Sequence, residues 1–308
     1  MVPLVLDLDH TAPMSDYEHQ PVLLAEVLDL LITDPGGLYL DATLGLGGHS
    51  EAILRAISPK GRLLGLDMDP ESLHLATRRL HEFENFKAAR SNFRDVARAL
   101  EENRFFPLAG ALFDLGVSSL HFDKPERGFS FSKEGPLDMR LSPDNPLTAD
   151  AIVNRWPEEQ IALLIREYGE EPAARKIARG ICQRREKQPF KSTTDLGAYL
   201  EKLLPRIGKS HQATKTFMAL RIAVNAELEN LTRGMESVLP YLGHGARLAV
   251  ITFHSIEDRI VKTMFASFVN DGVCRYVEGG QGAIKPSAEE VERNARARSA
   301  KLRVVEKQ

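Results

Sequence analysis

Apolar and polar positions follow two rhythms along this chain, one suited to buried strands and one to amphipathic helices. Val22-Leu23-Leu24-Ala25-Glu26-Val27-Leu28 predicts a helix, and Gly37-Leu38-Tyr39-Leu40-Asp41-Ala42 predicts a buried strand entering a glycine-rich turn. A helix follows over about 50–57, then a second strand over 61–67. Asp69 and Pro70 announce the next helix, because aspartate accepts a free N–H at a cap and proline suits a first turn. A strand-like run over 110–116 carries Asp114 beside glycine near its end, and residues 246–253 supply another. Ser255-Ile256-Glu257-Asp258 predicts the capped start of a further helix, with residues 274–277 and 302–305 pairing as a closing hairpin. Strands and helices alternating in this way predict an α/β fold, a parallel sheet with helices on both faces.

The stretch between Asp114 and Arg247 breaks that rhythm. Residues 127–146 are rich in Gly, Pro and Phe and predict an ordered loop. Residues 172–182 then place Ala174, Ile177, Ala178, Ile181 and Cys182 on one helical face, with Arg175, Lys176 and Arg179 elsewhere. Residues 192–204 repeat the arrangement with Leu196, Tyr199, Leu200 and Leu203. A structureless loop of this length inside one domain is disfavoured. The pattern therefore predicts a smaller all-helical domain over 127–215, inserted into a larger one made of 1–126 and 216–308. With 308 residues and 43% hydrophobic content, the chain is long enough for both cores.

Charge changes the picture through its distribution, since the net value is only −3. Residues 1–34 hold seven acids and no Lys or Arg, whereas 170–221 hold twelve Lys/Arg against five acids. The tail from Val291 holds six against two. The two basic regions are either a footprint for nucleic-acid phosphates, with Arg179, Arg184 and Arg185 among the contacts, or solvated helix faces. The N-terminal apolar run is broken by Asp7 and lacks the cationic lead of a secretory signal. No stretch of about eighteen apolar residues offers a membrane span, so a cytoplasmic location is expected. Cys182 and Cys274 stand far apart with no second thiol near either, which argues against a metal knuckle or a redox pair.

Candidate chemistry begins at Asp41-Ala42-Thr43-Leu44-Gly45-Leu46-Gly47-Gly48-His49-Ser50. Glycines there let a ligand lie against bare backbone, and the helix N-terminus that follows offers unpaired N–H groups. Asp67, nineteen positions beyond Gly48, ends the next strand, where a carboxylate reaches the hydroxyls of a nucleotide's ribose. A dinucleotide asks for G-x-G-x-x-G to seat its pyrophosphate, but this turn reads G-x-G-G-H with Asp41 ahead of it. An acid at that point repels pyrophosphate and suits the ammonium of a methionine moiety, which favours S-adenosylmethionine. Phe93 either flanks the adenine or belongs to the core.

Asp114 closes the fourth strand, over the sheet edge where transferred groups should meet. Methyl transfer from a sulfonium needs in-line alignment and a proton acceptor. A carboxylate accepting an exocyclic amine's N–H returns density to a lone pair delocalised into the ring, so Asp114 is the candidate catalytic residue. A contact with cofactor alone is its other reading. His254 either lines the same pocket or serves only the neighbouring helix cap.

Over residues 19–307 the chain resembles the RsmH (MraW) family of 16S ribosomal RNA cytosine-N4 methyltransferases. The resemblance is carried by His19-Gln20-Pro21-Val22, the turn over 41–50, Asp114-Leu115-Gly116-Val117-Ser118-Ser119, and Arg127-Gly128-Phe129-Ser130-Phe131 with Gly135-Pro136-Leu137-Asp138-Met139-Arg140. Tyr168-Gly169-Glu170-Glu171, Ala219-Leu220-Arg221-Ile222 with Val224-Asn225, Phe253-His254-Ser255 with Glu257-Asp258-Arg259, and Arg296-Ala297-Arg298-Ser299 extend it. It implies a Rossmann-like S-adenosylmethionine-dependent methyltransferase sheet with a helical insertion. It also implies methylation of the N4 amine of a cytidine in the decoding region of the small ribosomal subunit's 16S rRNA.

The same resemblance implies that Gly47, Gly48, His49, Asp67, Phe93 and Asp114 hold the cofactor; Asp41 and Gly45 join them from the turn. Where the family continues S-S-P-Q, this chain has Ser118-Ser119-Leu120-His121, so the cofactor contact expected of a glutamine falls to His121. Gln212, Met218 and Ala295 depart from the pattern as well. The small subunit and its 16S rRNA are the expected partners, with a homodimer left open and no membrane or metal involved. Phe129, Phe131 and Trp156 either stack an unstacked base or fill core. Rival readings are an amino-methyltransferase acting on DNA, disfavoured by the missing D-P-P-Y, a nicotinamide oxidoreductase, and an RNA-binding assembly factor without turnover.

Overall fold

A computed structural model describes residues 20–205, 211–277 and 282–308. The acidic leader up to His19, together with Arg206 and Lys209 of the basic region, lies outside the described residues. Seven strands form one sheet: β1 (Leu38–Asp41), β2 (Arg62–Asp67), β3 (Phe86–Arg90), β4 (Leu108–Asp114), β5 (Leu242–Thr252), β6 (Cys274–Tyr276) and β7 (Lys301–Lys307). Their order is β3-β2-β1-β4-β5-β7-β6. The first five run parallel, while β7 is antiparallel to both β5 and β6. The expected hairpin is present, with Cys274 opposite Lys307 and Tyr276 opposite Val305, and its second strand is wedged between β5 and β6.

The central strands read as unbroken apolar runs because both faces of the sheet are covered. Leu40, Leu64, Leu66, Phe113, Leu248 and Val250 pack on one side. Tyr39, Leu63, Leu112, Ala249 and Ile251 pack on the other, the alternation that a period of two imposes. Helices α1 (Leu24–Leu31), α2 (Gly48–Ala56) and α3 (Pro70–Arg79) cover the second side through Val27, Leu31, Ile53, Leu54 and Ala76. Helix α4 (Val96–Asn103) covers the first through Val96, Ala99 and Leu100. Complete burial of one such leucine contributes about 2 kcal/mol.

Between β4 and β5 the chain forms α5 (Ser119–Asp123), α6 (Ala149–Arg155), α7 (Glu158–Gly169), α8 (Ala174–Lys187), α9 (Thr193–Leu203), α10 (Thr214–Asn225) and α11 (Glu227–Val238). Helices α6 to α10 enclose a second apolar core that includes Leu137, Ile152, Ile165, Ile177, Ile181, Leu196, Leu200, Phe217 and Leu220. Phe129 is buried in it, which favours its core reading; Phe131 and Trp156 pack against it half-buried. Helix α11 returns to the side of α4, joined by α12 (Ser255–Asn270). The last helix, α13 (Ala288–Arg293), reaches back to the start of α1, where Glu290 accepts the N–H of Leu23 at 2.7 Å.

Side-chain caps open several of these helices, two of them at starts named from the sequence. Asp69 accepts the N–H of Glu71 at 3.1 Å and Pro70 opens α3, as the sequence predicts. For α12 the cap is His254 and not Ser255. Its Nδ1 accepts from the Glu257 N–H at 3.4 Å, while the Glu257 carboxylate accepts the His254 N–H at 3.3 Å. A capping box needs its glutamate three residues after the cap, and only His254 has that spacing to Glu257. Ser255 turns away and donates to Glu170 at 2.6 Å.

The basic helix also departs from expectation. Arg185 donates to the carbonyls of Val153 and Trp156 at 2.8 and 2.7 Å, closing the C-terminus of α6 where unpaired carbonyls collect. Arg184 forms a two-pronged pair with Asp195 at 2.6 and 2.9 Å, its guanidinium 4.2 Å from the ring centre of Phe190. Both arginines bind the helices to one another and are not available to phosphates; Arg179, in contrast, is 69% exposed. Replacing Arg185 with Ala is expected to cost about 2–3 kcal/mol, the value of charge-assisted hydrogen bonds to half-buried carbonyls. Urea unfolding should show a lowered midpoint, and an unchanged midpoint would contradict this assignment.

Candidate active site

The strand order reverses between β1 and β4, and a cavity of about 350 Å³ opens there at the carboxyl edge of the sheet. Its rim follows the strand ends: Ser91, Asn92 and Phe93 after β3, Asp67 and Met68 after β2, and Ala42 to Leu46 after β1. Asp114 to Ser118 follow at β4 and Phe253 at β5, with Ser299 ahead of β7 and Arg221 from α10. Gly45, Gly48, His49, Asp67, Phe93, Asp114 and His121 all line it, so most residues named from the sequence converge.

Asp41 and Gly47 do not line the cavity. Asp41 is 1% exposed and sits beneath the turn, where Oδ2 accepts the Ser50 hydroxyl at 2.7 Å and Oδ1 the Thr43 N–H at 3.2 Å. Ser50 in the first turn of α2 draws the carboxylate towards the helix and away from any ligand, and burial pushes its pKa up. Gly47 adopts φ +80, and a Cβ there would lie 3.2 Å from the Leu80 side chain. Its glycine serves the turn and the packing of α3.

Asp67 has two tasks, where the sequence suggests a ligand alone. Oδ2 accepts the N–H of Gly45 at 2.8 Å and Oδ1 that of Asp69 at 2.8 Å, so the carboxylate also holds the glycine turn. Burial pushes its pKa up to about 7, against the pull of those two hydrogen bonds.

His49, 6% exposed, bridges the cavity wall. Nε2 meets the carbonyl of Val22 at 3.0 Å and Nδ1 meets Asp114 Oδ2 at 3.2 Å. A carbonyl only accepts, so Nε2 carries a proton; a charged carboxylate likewise accepts, which calls for a second proton on Nδ1. Burial works against the imidazolium, but the charge and hydrogen bond of Asp114 outweigh it and the His49 pKa is raised. Asp114 Oδ1, also buried, has no hydrogen-bond partner among the described residues. Its backbone N–H is anchored by the Thr43 hydroxyl at 2.7 Å.

His121 reaches the wall with both ring nitrogens already engaged, Nδ1 with Ser118 Oγ and Nε2 with Asp69 Oδ2, each at 2.9 Å. Arg127 joins the cluster at 3.2 Å from Asp69, and Lys124 pairs with Glu71. Burial opposes ionisation of Asp69, but His121 and Arg127 outweigh it and hold the carboxyl below its usual range. Phe93 borders the β3 side of the cavity with its ring edge-on to Phe113 at 5.7 Å.

His254 is not on the cavity wall. It lies in a cluster with Glu227 and Glu257 whose ligand-type atoms fall within 4.8 Å of one another. Arg221 supplies positive charge to this cluster, donating to Glu227 at 2.9 and 2.8 Å. Arg221 itself lines the cavity, and the sequence assigns it no task. A signal is present: it is the lone charge in the apolar run Ala219-Leu220-Arg221-Ile222-Ala223-Val224, a placement rare without a partner or a purpose.

The MraW methylase family profile matches residues 16–308. The chain belongs to this family. A Caldicellulosiruptor bescii protein named ribosomal RNA small subunit methyltransferase H is 46% identical over 305 residues, covering 94% of this chain and 99% of that one. Proteins of the same name from Dehalococcoides mccartyi and Halothermothrix orenii are 45% and 42% identical, covering 96% and 94% of this chain and 88% and 98% of their own lengths. No helix among the described residues is long and apolar enough to cross a membrane.

As a member of this methylase family, the chain uses S-adenosylmethionine, and the residues present fit that compound. The bare turn at Gly45 (φ +52) admits a close ligand, Asp67 stands where ribose hydroxyls fall, and the orphaned Asp114 Oδ1 suits a cationic or amine-bearing group. Ribose hydroxyls at this position would donate to the ionised form of Asp67 and so lower its pKa on binding. An unfolded aspartate titrates near 4, so the raised folded value contributes stability that is full below about pH 4 and is lost as pH rises through about 7. A ligand held in this way would reverse that shift and expel a proton. S-adenosylhomocysteine should therefore bind more weakly as pH falls below about 7, with fractional proton release near pH 6.5 seen as buffer-dependent heat in calorimetry. Asp67→Asn should bind far more weakly without the release; equal release in both proteins would refute this role.

Proposed function

We propose that this protein transfers the methyl group of S-adenosylmethionine to the exocyclic N4 amine of a cytidine in the decoding region of small-subunit 16S rRNA, working in the cytoplasm. The observation that carries the reading is the free Oδ1 of Asp114, an acceptor at the middle of the cavity whose companion oxygen is fixed by His49. The names of the relatives support RNA of the small subunit as substrate.

When bound, S-adenosylmethionine supplies an electrophilic methyl group and departs as a neutral thioether. The turn at Gly45 and Gly48 and the carboxylate of Asp67 hold the nucleoside and amino-acid parts, with Phe93 beside the adenine. The charged imidazole of His49 keeps Asp114 Oδ2 in place, so Oδ1 faces the incoming amine. Asp114 Oδ1 accepts one amine N–H, which returns density to the nitrogen, and takes the proton as the N–C bond forms. Leu141, Phe253 and Val117 contribute apolar side chains to the cavity lining.

Arg175, Lys176 and Arg179 on α8, with Arg293 and Arg298 near the chain's end, are among the exposed cations that can meet backbone phosphates. Affinity for RNA should fall steeply with salt, and charge reversal at 175, 176 and 179 should flatten that slope. A filter-binding salt series with an unchanged slope would dismiss α8 as the footprint.

The decisive experiment incubates small subunits lacking the modification with protein and methyl-labelled cofactor, then digests the RNA to nucleosides. Label is expected in N4-methylcytidine, and Asp114→Asn should slow transfer at saturating cofactor by about 10²-fold or more. Label in another nucleoside would overturn the target, and an undiminished rate would remove Asp114 from the chemistry.

A further inference from the structure

Arg221 has no part in the reaction as described, yet its position gives it one. Its Nε and Nη2 donate to the two oxygens of Glu227, while Nη1 donates to none of the described residues. A guanidinium held in one plane by a two-pronged pair is a rigid donor, and its side chain is only 15% exposed. Nη1 is open to the cavity that Arg221 lines, so its N–H groups are free to meet an acceptor bound there.

The strand order says what that is. Ser91 to Phe93, Asp67 and the Gly45 turn follow β3, β2 and β1, and this half of the cavity suits the adenosyl group. Asp114 follows β4 at the middle. Phe253 follows β5 on the opposite half, and Arg221 belongs there, since Glu227 begins α11 and the neighbouring charge of Glu257 lies in the first turn of α12. With the adenosyl group in the first half, this half is left for the methyl acceptor.

We infer that Arg221 is a specificity residue, whose Nη1 donates to the N3 and O2 acceptor edge of the cytosine whose amine meets Asp114 Oδ1. An acceptor facing N4 and a donor facing N3 and O2 together match cytosine. Uracil meets the same pair badly, because its O4 would face the Asp114 carboxylate and its N3–H would face the guanidinium. This inference rests on the cytidine reading above.

The test uses the full-length protein, with Arg221→Lys and the double variant Arg221→Met with Glu227→Gln, the latter leaving no uncompensated carboxylate at 227. Both should bind S-adenosylhomocysteine within about twofold of the wild type and show the same salt slope for subunit binding. Single-turnover transfer to subunits should fall about 10- to 100-fold, the loss expected for one charged hydrogen bond. Wild-type protein loaded with S-adenosylhomocysteine should prefer subunits with cytidine over uridine at the target position, and the double variant should lose that preference. A retained preference with a normal rate overturns the inference. So does a uniform loss of subunit affinity with a shallower salt slope, which would mark a phosphate contact. Failure of the cytidine reading itself is distinguishable, because the wild-type control would then label a different nucleoside.

Discussion

The imidazole of His49 is the joint on which the site depends. Val22 ahead of α1, His49 at the start of α2 and Asp114 at the end of β4 are distant in sequence, yet all three meet at one ring, through contacts of 3.0 and 3.2 Å. Both neighbours are acceptors, so the ring holds them together only as a doubly protonated cation, in surroundings where a lone histidine would shed its charge. The charge of Asp114 is what keeps it. The pair is therefore mutual: the carboxylate stabilises the imidazolium, and the imidazolium leaves the carboxylate one free oxygen and one orientation.

Four aspartates stand close to the turn, and each is managed differently. Asp41 is turned inward to a serine hydroxyl, Asp67 receives backbone N–H groups, Asp69 is neutralised by His121 and Arg127, and Asp114 leans on His49. Burial raises Asp41 and Asp67, while Asp69 is held low by its cations. The result is a cavity bordered by the carboxylates of Asp67 and Asp114, without four full charges repelling one another around the turn. It also explains how the glycine turn stays ordered, since Asp67 grips Gly45 directly.

The sheet was legible because buried strands and capped helices leave a periodic trace: β1, β2, β4, β5 and the hairpin all fall near the runs of Leu, Val and Ile that mark them. Site residues at strand ends were legible for the same reason, as Asp67 and Asp114 each close an apolar run. What periodicity cannot convey is direction. Asp41 stands ahead of the turn as a ligand would, but nothing in the string of letters says that Ser50 draws it inward. Arg184 and Arg185 look like solvated charge until Val153, Trp156 and Asp195, remote in sequence, are seen to receive them. Arg221 is hidden for a related reason, because its meaning depends on Glu227 and on which half of the cavity it borders.

The strand order carries a consequence for how the chain is built. β7 is synthesised after β5 and β6, yet it must lie between them, with Leu302, Val304 and Val305 buried in the finished sheet. Until it arrives, β5 waits with an open edge of unsatisfied backbone groups and β6 has no strand to pair with. The edge of β5 thus stays open from the synthesis of residue 252 until residues 301–307 arrive, a short interval late in translation in which the chain can stick to its neighbours, and its maturation is gated by a late insertion.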